Sequence, residues 1–315
     1  MSRYDYDSEG LATLLPDLPR FRLEQIRHAF LTRFAEPGEI HEVPVALRRR
    51  LNDLEELAPA FRVSRDLTAD DGATRKWLLE LPDGARIETV LMHHERHSTA
   101  CISSQAGCAM GCTFCATGDA GFTRHLSHGE IVEQVALAGR AALEFGRRLD
   151  HVVFMGMGEP LANFANVEKA SRRIIDEIGL AARHVTISTV GVVPGIRKLA
   201  SFDRQVNLAV SLHAANDALR DTIVPLNRRY PIDALVAVCH EYLEATRRRI
   251  SLEWALIDAV NDRRKDAMEL VPIARDLRAH VNLIPLNPTE GGLSRGLRGS
   301  APQRVRAFRD ALVSA

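Results

Sequence analysis

Cys108-Ala-Met-Gly-Cys112-Thr-Phe-Cys115 sets three cysteines within one short stretch of a 315-residue chain that has five in all. The other two are Cys101, just upstream, and Cys239. Five is an odd number, and a chain of this length buries a core without covalent staples, so a disulfide framework does not fit. A zinc site normally takes four ligands, and here His125 or His128 would have to complete a set with the three cysteines. An iron–sulfur cluster uses thiolates at this kind of spacing, and three of them on a four-iron cluster leave one iron without a protein ligand. An iron open to a substrate or cofactor points to catalysis more than to electron storage.

The pattern around the cysteines is a repeating strand, loop and helix. Apolar runs predict strands at 100–104, 151–155, 184–189, 206–212, 250–257 and 281–285, and helical periodicity predicts helices at 127–145, 166–178, 195–200, 232–247, 263–279 and 302–313. Ser127 with Glu130 three residues later has the form of a capping box. Six βα units predict an α/β fold, a parallel sheet curling into a partial (βα)6 barrel, over 98–315. Upstream, Leu11, Leu14, Leu15, Phe21, Ile26, Phe30 and Phe34 fall at near-helical spacings between prolines, predicting a helical module over 1–60. Between them, at 61–97, alternating apolar residues on either side of Asp83-Gly84 predict a β-hairpin extension.

The 41 basic and 41 acidic residues cancel, so the molecule as a whole does not advertise a nucleic-acid partner and charge has to be read locally. All basic residues except Lys76, Lys169, Lys198 and Lys265 are arginine. The N-terminus lacks the apolar run of a signal peptide, and no stretch of eighteen apolar residues occurs, which leads to the expectation of a cytoplasmic protein with no membrane partner. Cys239 lies on the apolar stripe of Leu235, Tyr242 and Leu243, where a buried structural thiol is expected.

In a βα barrel the reactive groups gather where the carboxyl ends of the strands meet. The first strand leads into Gln105-Ala-Gly-Cys108. The second ends in Gly156-Met-Gly158-Glu159-Pro160, whose glycines admit close backbone approach and whose Glu159 offers an acceptor to an ammonium or hydroxyl. The third ends at Ser188-Thr189, the fourth at Ser211-Leu212-His213, and the sixth at Pro285-Leu286-Asn287-Pro288. Each alone reads as a turn, a cap or a satisfied loop residue. Together on one rim beside an open iron, they describe a pocket for a polar organic cofactor.

The cysteine spacing followed by 156–160 resembles the radical S-adenosylmethionine superfamily. Longer strings narrow the likeness: Ile87-Glu-Thr-Val90, Cys101-Ile-Ser-Ser-Gln-Ala-Gly-Cys108, Gly121-Phe-Thr-Arg124, Phe154-Met-Gly-Met-Gly-Glu-Pro-Leu161, Thr186-Ile-Ser-Thr-Val-Gly-Val-Val-Pro194 and Ser211-Leu-His-Ala214. These resemble the RlmN/Cfr adenine methyltransferases of RNA. The resemblance implies a 4Fe–4S cluster on Cys108, Cys112 and Cys115, with S-adenosylmethionine lined by Gly158, Glu159, Ser188, Ser211, Leu212, His213 and Asn287. It further implies Glu88 as a proton acceptor and Cys101 as the cysteine that assists product release. The implied substrate is C2 of an adenine in 23S rRNA, and in many members of a tRNA as well. One cofactor molecule gives the methyl group and a second gives a 5′-deoxyadenosyl radical. Phosphate contacts would come from the helical module and from Arg295, Arg298, Arg304, Arg306 and Arg309. An external electron donor such as a flavodoxin-type reductant and a monomeric state are expected.

The family also carries a methyl-bearing cysteine in a C-terminal tail, and no cysteine follows Cys239 before Ala315. Two expectations follow: a sequence that stops short of that segment, or a changed methyl relay. Two other readings stay open, a radical enzyme with a different substrate or outcome and a non-catalytic RNA-binding paralogue with a structural cluster.

Overall fold

The computed structural model describes residues 2–315. Three helices come first, α1 (Ser8–Leu14), α2 (Arg20–Thr32) and α3 (Val45–Asp53), then strands β1 (Arg62–Ala69), β2 (Thr74–Glu80), β3 (Arg86–His93) and β4 (Ser98–Cys101). The short elements β5 (Gln105–Gly107), α4 (Ala116–Asp119) and β6 (Phe122–His125) frame the cysteine stretch. They are followed by α5 (His128–Glu144), β7 (His151–Phe154), α6 (Phe164–Asp176), β8 (Val185–Thr189), α7 (Val193–Ala200), β9 (Asn207–Ser211), α8 (Asp217–Ile223) and α9 (Ile232–Thr246). The last elements are β10 (Ile250–Leu256), α10 (Arg264–Asp276), β11 (His280–Pro285), α11 (Glu290–Ser294) and α12 (Pro302–Ser314). The fold is α/β, and β4 and β7 to β11 are the six strands of its βα succession. Among the described residues no helix is long and apolar enough to cross a membrane.

The chain forms two compact units, one of residues 2–106, 124–157 and 165–185, the other of 107–123, 158–164 and 186–315. In the first, the strands lie in the order β1-β2-β3-β4-β7. The pairs β1/β2, β2/β3 and β3/β4 are antiparallel and β4/β7 is parallel. Leu79 lies opposite Ile87 in this sheet, and both are fully buried. The hairpin expected across Asp83-Gly84 is the β2/β3 pair; β1 adds a third strand to it, and β3 pairs on into β4. Strand β1 is polar and mostly exposed, so it lacks the alternation by which β2 and β3 announce themselves. Helix α5 starts as its sequence predicts, with Ser127 Oγ accepting the Glu130 N–H at 3.1 Å and Ser127 N–H donating to Glu130 Oε2 at 2.8 Å. Phe21 departs from the helical stripe assigned to the module and lies exposed, with the Arg22 guanidinium 4.9 Å from its ring centre.

The second unit orders its strands β8-β9-β10-β11, all parallel neighbours. Ile187, Leu208, Val210, Leu252 and Trp254 are buried along them, and Trp254 packs against Phe308 of α12 with ring centres 5.7 Å apart. Burying each such side chain contributes about 1.5–3 kcal/mol. Cys239 is buried on α9, as its apolar stripe predicts.

Two local differences from the sequence reading shape the site. The strand expected over 100–104 ends at Cys101, after which Ile102 N–H still reaches Val153 O at 3.0 Å but Ser104 N–H turns to Met157 O at 2.9 Å. Helix α8 was not anticipated, although Asn216 caps it by accepting the Leu219 N–H at 2.9 Å.

Candidate functional site

The cysteine loop is built on a glycine that nothing else could replace. Gly107 has φ +75°, and a Cβ there would stand 1.9 Å from Gly121 O. That close approach lets Cys108 N–H donate to Gly121 O at 2.8 Å, closing the base of the loop. The far side is held by Thr113 N–H on Ile223 O at 3.1 Å, and the turn itself by Cys115 N–H on Cys112 O at 3.1 Å. Cys108, Cys112 and Cys115 are free thiols, each partly accessible.

Burial and mutual repulsion keep the Cys108 and Cys112 thiols protonated in the absence of a bound cation. Burial first, then the charges of Cys115, Cys108 and Glu159, push the Cys112 thiol up to about 12. Burial, Glu159 and Cys115 raise Cys108 as well. Thiols raised in this way keep their protons at neutral pH, and a cationic body bound to them would favour the thiolate forms. Among the described residues no three His, Cys, Asp or Glu side chains close to the dimensions of a single-ion site. A four-iron cluster takes one thiolate on each of three irons. The histidines that could have completed a zinc site are engaged elsewhere: His125 Nδ1 with Gln105 Nε2 at 3.0 Å, and His128 Nδ1 with Asp5 Oδ1 at 3.4 Å.

The strand ends of the same unit carry the polar residues. Gly158, with φ +98°, turns the chain after β7 in a conformation that favours glycine. Glu159 follows, almost wholly buried, with Oε1 accepting the Leu161 N–H at 2.9 Å and Oε2 the Val190 N–H at 2.8 Å. Burial lifts its carboxyl to about 7 against these hydrogen bonds.

Ser188 pairs in register with Ala209, and Ser211 with Glu253. Residues in register share a face, and alternate residues of a strand share it too, so Ser188, Ser211, Ser251 and Glu253 line one side of the sheet. Glu253 is buried there, accepting from Ser251 Oγ at 2.6 Å and from Asn282 Nδ2 at 2.7 Å. Glu253 and Asn282 were not singled out from sequence, although the alternation Ser251-Leu-Glu253 inside an apolar strand marks a polar face.

Leu212 and His213 continue from β9. His213 has φ +58°, unusual for a residue with a Cβ. Two contacts over-determine it: its Nδ1 accepts the Ala255 N–H at 3.0 Å, and its carbonyl accepts from Asn261 Nδ2 at 2.7 Å. Burial, then the Arg220 charge, lowers His213 to about 3, so the ring is neutral. With Nδ1 accepting, the proton sits on Nε2, which makes His213 a donor there. The Phe114 ring packs edge-on against it, centres 4.8 Å apart. Asn287 lies exposed just beyond β11.

Glu88 and Cys101 belong to the first unit. Val90 of β3 lies opposite Cys101 of β4, so Glu88, two residues before Val90, is a diagonal neighbour of Cys101 on one face. The Glu88 carboxylate is half-exposed and pairs with Lys76 Nζ at 2.7 Å, while its carbonyl accepts from Ser103 Oγ at 2.6 Å. Burial, with a smaller contribution from the Glu88 charge, pushes the Cys101 thiol up to about 11.

Known proteins resemble this chain over most of its length. The Radical SAM superfamily model matches residues 102–271. A chain from Mycobacterium marinum named dual-specificity RNA methyltransferase RlmN is 48% identical over 299 residues, 91% of this chain and 82% of that one. A chain of the same name from Salinispora arenicola is 48% identical over 98% of this chain and 85% of its own length. The crystal structure of a radical SAM methyltransferase from Sphaerobacter thermophilus superposes with a TM-score of 0.93 at 43% identity, covering 100% of this chain and 92% of that one. The chain belongs to the radical SAM superfamily, whose members use a 4Fe–4S cluster and S-adenosylmethionine, and within it to the RlmN-type RNA methyltransferases.

Proposed function

We propose that this protein transfers a methyl group to C2 of an adenine in 23S rRNA, and in tRNA as a second substrate. The observation that carries the reading is the gathering, within one compact unit, of the three cysteines, buried Glu159 and the polar ends of β8 and β9. Cys108, Cys112 and Cys115 hold the cluster. When bound, the cluster supplies the electron that cleaves S-adenosylmethionine.

The chain's own residues then bind and orient. Gly158 admits the cofactor backbone-close, and the Glu159 carboxylate offers acceptor oxygens toward the cofactor's polar groups. Ser188, Ser211 and Asn287 add hydrogen bonds. Leu212 fixes the turn, and neutral His213 donates from Nε2.

Glu88 is the proton acceptor from the adenine. At neutral pH the Cys101 thiol keeps its proton, so its part in product release begins by giving that proton to a base, and Glu88 shares its face. Arg295, Arg298, Arg304, Arg306 and Arg309 meet phosphate, although Arg295 also pairs with Asp119 at 2.8 Å. A flavodoxin-type reductant, a monomeric state, a cytoplasmic setting and a division into 1–60, 61–97 and 98–315 complete the proposal.

The test is anaerobic reconstitution with iron and sulfide, followed by S-adenosylmethionine, a reductant and fragments of 23S rRNA or tRNA. The expected products are 5′-deoxyadenosine and C2-methyladenosine, both lost in Cys112→Ala. Deoxyadenosine without methylated adenine in either RNA overturns the substrate assignment.

A further inference from the structure

Arg220 of α8 is 1% exposed, yet no carboxylate touches its guanidinium. Its Nε donates to Leu212 O at 2.9 Å, and its Nη1 to Asn227 Oδ1 at 2.9 Å. Its Nη2 donates to Val190 O at 2.7 Å and to Ser211 O at 3.2 Å. Asp217 and Asp221 are hydrogen-bonded to it through Asn227, whose Nδ2 donates to their Oδ1 atoms at 2.9 and 2.7 Å, and their charges act on it from behind that amide. A buried arginine kept only for stability is ordinarily paired. This one is held directly by neutral oxygens, and the charges that act on it from farther off are Cys112 first, then Asp217 and Asp221.

Those surroundings are the cysteine loop and the rim. Cys112, Met110 and Phe114 pack against Val190, Ala214, Ile223 and Val224, the residues that enclose the far end of α8. Thr113 is hydrogen-bonded to that same helix end. The Arg220 charge acts on Cys112 against the burial that raises its thiol. A cation that acts on a ligand thiol favours the more negative, reduced state of an iron–sulfur cluster, whose potential follows local charge and burial.

We propose that Arg220 is a positioning residue of the cluster and cofactor site, with two effects. Its planar fork ties the residue after β8 (Val190) to the end of β9 (Ser211 and Leu212), and its charge, hydrogen-bonded among the described residues to no carboxylate, raises the midpoint potential of the cluster on Cys108, Cys112 and Cys115. The inference rests on those three cysteines being the cluster ligands.

The experiment is an EPR-monitored redox titration of the reconstituted full chain, with S-adenosylmethionine binding measured alongside. Native protein is compared with R220Q, R220K and D221N, each checked for folding by circular dichroism. R220Q keeps a hydrogen-bonding amide but loses the charge; its reducibility is expected to fall about tenfold, a shift of about 59 mV for one electron. R220K keeps the charge but not the fork, so its potential is expected to stay near native while cofactor affinity falls about tenfold. D221N removes a distant anion behind Asn227 and is expected to move the potential upward. Folded R220Q with a native potential overturns the proposal. Where R220Q does not fold or takes up no cluster, D221N decides, and an unchanged potential there overturns it. A native protein that binds no iron removes the ligand assignment and this inference with it, whereas cluster formation with unshifted variants removes the inference alone.

Discussion

Glu159 Oε2 accepts the Val190 N–H at 2.8 Å, so one buried carboxylate fastens the turn after β7 to the end of β8. Its other oxygen holds the Leu161 N–H at 2.9 Å. Glu159→Ala leaves both donors without this acceptor, at about 1–3 kcal/mol for each buried group. Glu159→Gln keeps one acceptor oxygen but turns an amide N–H₂ toward the other donor. Thermal melting and S-adenosylmethionine titration should both rank native above Gln above Ala. A Gln variant equal to native in both measurements removes Glu159 from the organisation of the site.

Lys76 and Glu88 make an ion pair at 2.7 Å with both side chains 40% exposed. Exposed pairs contribute about 0–1 kcal/mol, so Glu88→Gln should melt close to native. As a proton acceptor, Glu88 should matter to chemistry by about 10²–10⁴-fold. The expected outcome is loss of RNA methylation with cofactor cleavage retained. Equal loss of both products would place Glu88 in cofactor binding instead.

Gly107 is the structural glycine to test. Its φ of +75° and the 1.9 Å separation of a Cβ from Gly121 O make Gly107→Ala incompatible with the Cys108–Gly121 hydrogen bond. The loop must open, and the thiols of Cys108 and Cys115 lose their common base. Iron bound per chain after reconstitution should fall severalfold while far-UV circular dichroism stays near native. Full iron loading in this variant would show that the loop holds its shape without that closure.

These residues also show what was legible in the sequence. The cysteine spacing and the polar strand ends stood out because each concentrates an uncommon residue type at a place where strand periodicity stops. Helix α5 was legible because Ser127 and Glu130 are local signals that hydrogen-bond each other. Arg220 was invisible: an arginine in a polar stretch with no anticipated element reads as solvated, and only the tertiary fold brings Val190, Ser211, Leu212 and Asn227 around it. Glu253 hid for a related reason, since its partner Asn282 comes from the neighbouring strand. Strand β1 hid because an exposed edge needs no apolar alternation.

Glu133 carries the clearest pH dependence. It is buried on α5, accepting from Ser2 Oγ and from the Ala60 N–H at 2.9 Å, with Arg3 Nη2 3.9 Å away. Burial dominates and lifts its carboxyl from 4.5 to about 7 in the folded protein. Below about pH 4.5 both folded and unfolded chains hold the proton, and the stability linked to this group is fully present. As pH rises, the unfolded chain releases its proton first and the native state lags, so that stability is lost progressively until about pH 7, by roughly 3 kcal/mol at most. Glu133→Gln removes the titration while keeping one acceptor oxygen. Urea unfolding at pH 5 and pH 8 should show the Gln variant gaining on native as pH rises. A difference between the two proteins that is flat across that range would mean that Glu133 ionises in the folded state as readily as it does in the unfolded chain.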